Sequence, residues 1–207
     1  MNKRQIFSLA IAAAFLLAAF NAFSQEVPPP VFQDGDFWQF KAVETSVGGI
    51  SRSNPFDGMY EVFYSQGNFK TFQMTGNGRE PAGPSARGPL LAFLGQGSVI
   101  KDLQFPFSVG QKWDYKYEFT AIGSKKSFLR TVEIHVTGVE QVTTPAGNFS
   151  AFKLEKEEMF KLGEHPWVGT FYYSPETKSV VKYSFDSTQT GAGTKRESEL
   201  VKFRAAR

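Results

Sequence analysis

The sequence predicts an all-β fold, an antiparallel sheet of roughly eight to ten strands with little helix after the first two dozen residues. Three observations predict it. Segments of strict apolar–polar alternation recur, the clearest being Lys112–Thr120. Clusters of Gly, Pro, Asn and Ser punctuate the chain between such segments. The chain also carries 22 Phe, 7 Tyr and 3 Trp, mostly at strand-like spacing.

The first residues are set apart from that pattern. Met1-Asn2-Lys3-Arg4-Gln5 is a short basic head and Ile6–Phe20 an apolar stretch interrupted only by Ser8. Ala22 and Ser24 then place small residues before a cut at Gln25. Residues 1–24 therefore read as a secretory signal peptide. The stretch is shorter than the roughly 20 apolar residues of a spanning helix. No Cys follows it, which excludes a lipid-modified cysteine. The expectation is a cleaved, soluble, periplasmic product with no transmembrane segment, secretion into the medium being the alternative.

Cleavage leaves 183 of the 207 residues and lowers the formal charge from +3 to +1, because Lys3 and Arg4 leave with the signal. That length supports one sizeable core. We expect a Pro-rich lead-in over residues 25–30 and a single β domain over 31–207. No Lys/Arg run marks a nucleic-acid partner. The absence of Cys excludes disulfides, thiolate nucleophiles and Cys-ligated metal centres.

Phe37–Val43 reads as the first strand, and Tyr60–Tyr64 with Phe69–Met74 as a hairpin around Gln66-Gly67-Asn68. Residues 76–89 are rich in Gly and Pro and read as a loop. Leu90–Leu94 is a short apolar run that fits a helix or a buried strand equally. In Lys112–Thr120, Trp113, Tyr115, Tyr117 and Phe119 share one face, and Lys112, Asp114, Lys116, Glu118 and Thr120 the other. Phe128–Val136 repeats the alternation, with Arg130 as an exception on the inner face. Gly138 marks a bulge before Val139–Val142. Thr144–Asn148 is a turn, and Phe149–Lys161 resumes as a strand. Trp167–Tyr173 and Val180–Phe185 form a hairpin around Ser174–Thr177, where Pro175 sets the turn. Arg196–Phe203 is the last strand.

One phrase occurs twice. Phe32–Lys41 and Phe107–Lys116 both read Phe-x-x-Gly-x-x-Trp-x-aromatic-Lys. Either turn-to-strand signals recur by chance, or two related sheet halves curve around a shared interior.

Val109-Gly110-x-x-Trp113-x-Tyr115, Thr144-Pro145-Ala146-Gly147-x-Phe149, Phe171-Tyr172-Tyr173-Ser174-Pro175, Val180-Val181-Lys182 and Glu199-Leu200-Val201 follow one another in this order. In that order the phrases resemble a broad group of uncharacterised bacterial exported proteins, over about residues 107–203. These phrases are turns and sheet-facing rings, so no catalytic residue transfers from the group. The resemblance implies a strongly curved antiparallel sheet or half-open barrel, similar to that of periplasmic lipoprotein carriers.

No constellation for catalysis is legible. His135 and His165 read as surface residues, and neither has a second His at ligand spacing, so no metal or other cofactor is expected. Gly83–Gly88 lacks the spacing of a nucleophile elbow. Glu155, Glu157 and Glu158 alternate with Lys153, Lys156 and Lys161, which reads as a solvated strand face. The remaining candidate is an aromatic stripe: Trp38, Phe40, Trp113, Tyr115, Tyr117, Phe119, Trp167, Phe171 and Tyr173. Each ring can bury roughly 150–250 Å². The stripe is either ordinary core, covered by Leu90–Leu94 and the Gly-rich loop, or a groove for an apolar ligand. The leading functional expectation is a non-enzymatic envelope protein that binds a lipid or acyl chain on this stripe. A scaffold protein docking an envelope partner is the alternative, and a hydrolase ranks third.

Overall fold

The computed structural model describes residues 26–48, 57–97, 101–120, 127–159, 166–189 and 193–206. Residues 1–24, read above as a signal peptide, and His165 lie outside the described residues. Ten strands run β1 (Phe37–Val47), β2 (Gly58–Ser65), β3 (Asn68–Thr75), β4 (Gly78–Pro81), β5 (Lys112–Thr120), β6 (Ser127–Thr144), β7 (Gly147–Met159), β8 (Trp167–Ser174), β9 (Ser179–Asp186) and β10 (Gly193–Arg204). Among the described residues one helix, α1 (Pro84–Ala92), lies between β4 and β5.

The strands form one antiparallel sheet in the order β4-β3-β2-β1-β10-β9-β8-β7-β6-β5. First and last strands pair in its interior, Phe37 opposite Arg204 and Val47 opposite Gly193. Strands β4 and β5 are the two edges, and among the described residues they do not pair with each other. The sheet is therefore curved but not closed. Its curl is visible at the β6–β7 hairpin. That hairpin runs past the Phe152–Tyr173 pairing with β8, and its tip reaches β10, where the Ala146 N–H donates to the Leu200 carbonyl at 3.2 Å.

Alternation decides which side chains face inward. Trp38, Phe40 and Ala42 on β1, Tyr60 and Val62 on β2, Val132, Ile134 and Val136 on β6, and Phe171 and Tyr173 on β8 are all buried. The bulge near Gly138 is present, between Val136 and Gly138. Phe128 shares the inner face of Arg130 but sits at the start of β6 and is 42% exposed, so the strand's first turn contributes nothing to the core.

A covering segment, residues 84–97 and 101–111, lies over the concave face. The sequence pattern gave a loop over 76–89; the structure instead puts β4 and the first half of α1 there. Pro84 opens the helix at a position where a missing N–H costs nothing. Gly95, at φ +71°, closes it, and the Gln96 N–H donates back to the Leu91 carbonyl at 2.9 Å. Leu90–Leu94 is thus the last helical turn and its cap. Leu90, Phe93, Leu94, Leu103 and Phe107 from this segment are buried against the sheet. The Phe93 carbonyl accepts from the Val180 N–H at 2.8 Å and ties the helix end to β9.

The repeated phrase is a repeated structure. Gly35 and Gly110 both hold positive φ, +97° and +89°. The Gly35 N–H donates to the Tyr64 carbonyl while Tyr64 N–H donates to the Asp36 carbonyl. Gly110, Val136 and Gln111 repeat that exchange. In each copy the second residue's N–H is capped by the side chain three positions on, Gln33 by Asp36 at 2.9 Å and Ser108 by Gln111 at 3.1 Å. Phe32 packs on Trp38 and Phe107 on Trp113, with ring centroids 5.7 and 6.2 Å apart. The lead-in is anchored as well, since Val27 bridges to Phe107.

Candidate ligand-binding site

The structure divides the aromatic stripe. Trp38, Phe40, Tyr115, Phe171 and Tyr173 are buried beneath the covering segment or against one another. Phe93 packs on Phe40, and Phe105 and Phe107 pack on Tyr173. Trp113, Tyr117 and Trp167 are half-buried, and Phe119 lies in β5 with its side chain outside the described residues. The stripe is brought to one concave face, with its buried members in the protein's own packing.

Beside the rings lies a dry ionic chain that charge density alone concealed. Lys156 and Glu158 were expected on a solvated face; the parity of Leu154 turns both inward, and both are buried. Arg130 contacts Glu158 directly. Lys156 Nζ reaches Glu158 at 3.2 Å and Asp102, from the covering segment, at 3.0 Å. Tyr117 donates to Glu158 at 2.6 Å and Tyr115 to Asp102 at 2.5 Å. The Arg130 guanidinium lies 3.9 Å from the Trp167 ring centroid.

Four members of this chain are shifted by their surroundings. Burial alone would raise the Glu158 carboxyl, but Lys156, the Tyr117 hydrogen bond and Arg130 together hold it below its ordinary value. Burial alone would lower the Lys156 ammonium, yet Asp102 and Glu158 hold it above. Burial, then the neighbouring carboxylates, raise both Tyr115 and Tyr117. None of these four groups is poised to exchange a proton near neutral pH. Among the described residues no cluster of three His, Cys, Asp or Glu side chains could hold a metal.

An accessible hollow lies elsewhere, with one apolar wall and an exposed lining that is more polar than apolar. It occupies about 330 Å³ between the tip of the β2–β3 hairpin and α1. Phe32, Tyr64, Phe69 and Leu91 supply its apolar wall, all half-buried, and Asn68, Arg87 and Gln96 its polar lining. The aromatic wall is rigidly packed: Phe32 and Phe69 meet edge-on at 4.9 Å, and Tyr64 contacts Phe69 at the same distance. Arg87 and Leu91 stand one helical turn apart, hence on one face of α1. A second hollow, about 220 Å³, lies along β8–β10, lined by Val168 and Phe185 together with Thr170, Ser184, Asp186, Lys195, Arg196 and Glu197, polar and apolar in similar measure. Four separate segments build the apolar wall, so no periodicity in the sequence points to it.

No family model matches this chain, and no curated protein matches it in sequence. Among the solved structures similar to it are three bacterial proteins. A candidate exported protein with a YmcC-like fold from Bacteroides fragilis has 14% identity and a TM-score of 0.35, covering 86% of this chain and 98% of that one. A candidate lipoprotein from Parabacteroides distasonis has 13% identity and a TM-score of 0.37, covering 86% and 97%. The hypothetical lipoprotein YmcC from Escherichia coli has 15% identity and a TM-score of 0.41, covering 83% and 86%.

Proposed function

We propose that this chain is an exported, non-enzymatic binding protein that takes an acyl chain or similar apolar ligand into the hollow between the β2–β3 hairpin and α1. The supporting observation is the hollow itself. Four half-buried apolar side chains line about 330 Å³ open to solvent, a size within the usual range of small-molecule sites. Chain-derived side chains already fill the neighbouring concave face, so the ligand is assigned to the hollow rather than to the stripe. A hydrolase would need a group ready to move a proton, and the ionic chain supplies none.

The test is native mass spectrometry of the mature protein, purified from its own envelope without detergent. A discrete added mass, removed by organic extraction and absent from Leu91→Gln, is expected. Trp113→Ala combined with Tyr117→Ala should lower stability but retain that mass; its loss in this variant alone would return the ligand to the stripe. A clean apo mass across preparations, with no saturable uptake of N-phenyl-1-naphthylamine, would overturn the proposal. The reading then favoured is a protein-docking role, for which the free edges of β4 and β5 are the supporting feature.

A further inference from the structure

Arg87 differs from the other described arginines. Arg79, Arg130 and Arg196 each pair with a glutamate, and Arg204 donates to the Gly35 carbonyl. Among the described residues no carboxylate pairs with Arg87, which is exposed at the edge of the hollow. It is also the only charged residue of the lining. Asp34, beside the hairpin, is outside that lining and accepts from the Gln66 N–H at 2.8 Å. Asn68 uses its amide N–H on the Gln66 carbonyl, leaving its own carbonyl oxygen and Gln96 as neutral polar groups. The site thus combines one apolar wall, a larger polar surface with one uncompensated cation, and no anion, a mixed lining suited to an amphiphile rather than to a wholly apolar ligand.

Resting on the proposed function above, we infer that the ligand of this hollow is a single-chain amphiphile with an anionic head, a carboxylate or a phosphate, held by Arg87. The guanidinium fork matches both head groups through paired N–H donors. Leu91, one turn along the same face, places the apolar wall directly below the head. At about 30 Å³ for each methylene-sized group, comparable to a water molecule, the hollow takes a tail of about ten carbons. Because Arg87 is exposed, its contribution depends on salt.

Isothermal titration of the mature protein with decanoate, decyl phosphate and decanol separates the two levels of the reading. At least one anion is expected to bind about 10-fold tighter than decanol at low salt, an advantage of ~1.4 kcal/mol. Arg87→Gln should erase that advantage and leave decanol unchanged, while Leu91→Gln should weaken all three. Whichever of decanoate and decyl phosphate binds tighter identifies the head. Equal affinity for decanol and both anions, or anion binding indifferent to Arg87→Gln, overturns the inference and leaves the apolar hollow standing. No binding of any of the three overturns both.

Discussion

Asp102 and Lys156 meet at 3.0 Å inside the sheet, the first carried by the covering segment and the second by β7. This contact fastens the cover to the concave wall with charge, while Leu103 and Phe107, which follow it, fasten it by burial. A buried ion pair adds little over a well-packed apolar pair, but removing one partner strands the other.

Asp102→Ala should therefore destabilise the protein by about 3 kcal/mol, read as a drop in the urea midpoint. It also leaves the Tyr115 hydroxyl without its acceptor. Adding Lys156→Met should recover part of the loss. A change below about 0.5 kcal/mol in the single variant would show that the contact contributes nothing net.

Glu158 sets an acid limit. Its carboxyl lies below the ordinary 4.5, because the charges and hydrogen bonds around it outweigh its burial. A depressed carboxyl gives stability that is complete above the unfolded value and lost as pH falls through the folded one. Urea midpoints should hold steady at neutral pH and decline below pH 4.5. In Glu158→Gln the decline should be shallower. Parallel profiles for the two proteins would assign the acid sensitivity to other carboxylates.

The two tryptophans of the repeated phrase should respond unequally. Trp38 is 1% exposed and donates to the Thr177 carbonyl at 2.6 Å. Trp113 is half-buried and its bond to the Lys101 carbonyl is longer, 3.2 Å. Trp38→Phe should cost about 3 kcal/mol and Trp113→Phe under about 1 kcal/mol. Equal costs in thermal or urea unfolding would mean that the copies are energetically equivalent.

Gly95→Ala tests the end of the helix. A methyl group there would stand 2.7 Å from Phe105 Cε2, on a backbone with φ +71°. Phe105 in turn packs on Phe107 and Tyr173. A loss of about 1–2 kcal/mol is expected, against no measurable loss in Gly88→Ala, where the added methyl meets nothing. Similar midpoints for the two variants would show that the cap does not depend on glycine.

Much of the sheet was legible because alternation survives wherever one face is buried. β5 shows it over its whole length, and the Gly138 bulge was marked by its residue type. Arg130 stood out as a charge on an inner face, though its partner was not evident. Lys156 and Glu158 were misread because both faces of β7 carry charges there, so polarity no longer reports direction. Leu154, two and four residues earlier on the same face, held the correct parity. The helix was within reach through Pro84 and Gly95, but Gly and Pro density over 76–89 gave a loop instead. The hollow was not legible, since Phe32, Tyr64, Phe69 and Leu91 meet only through tertiary packing.

The pairing of β1 with β10 sets the timetable of assembly. Glu44 and Arg196, which face each other across it, are 152 positions apart. Before β10 is available, β1–β4 and β5–β9 can form only as two separate sheets, each with an unfilled inner wall. Closing so long a stretch carries a large entropic cost and slows folding. The native interior therefore forms only once the last strand has arrived, and a chain of this topology stays unfinished until nearly all of it is available.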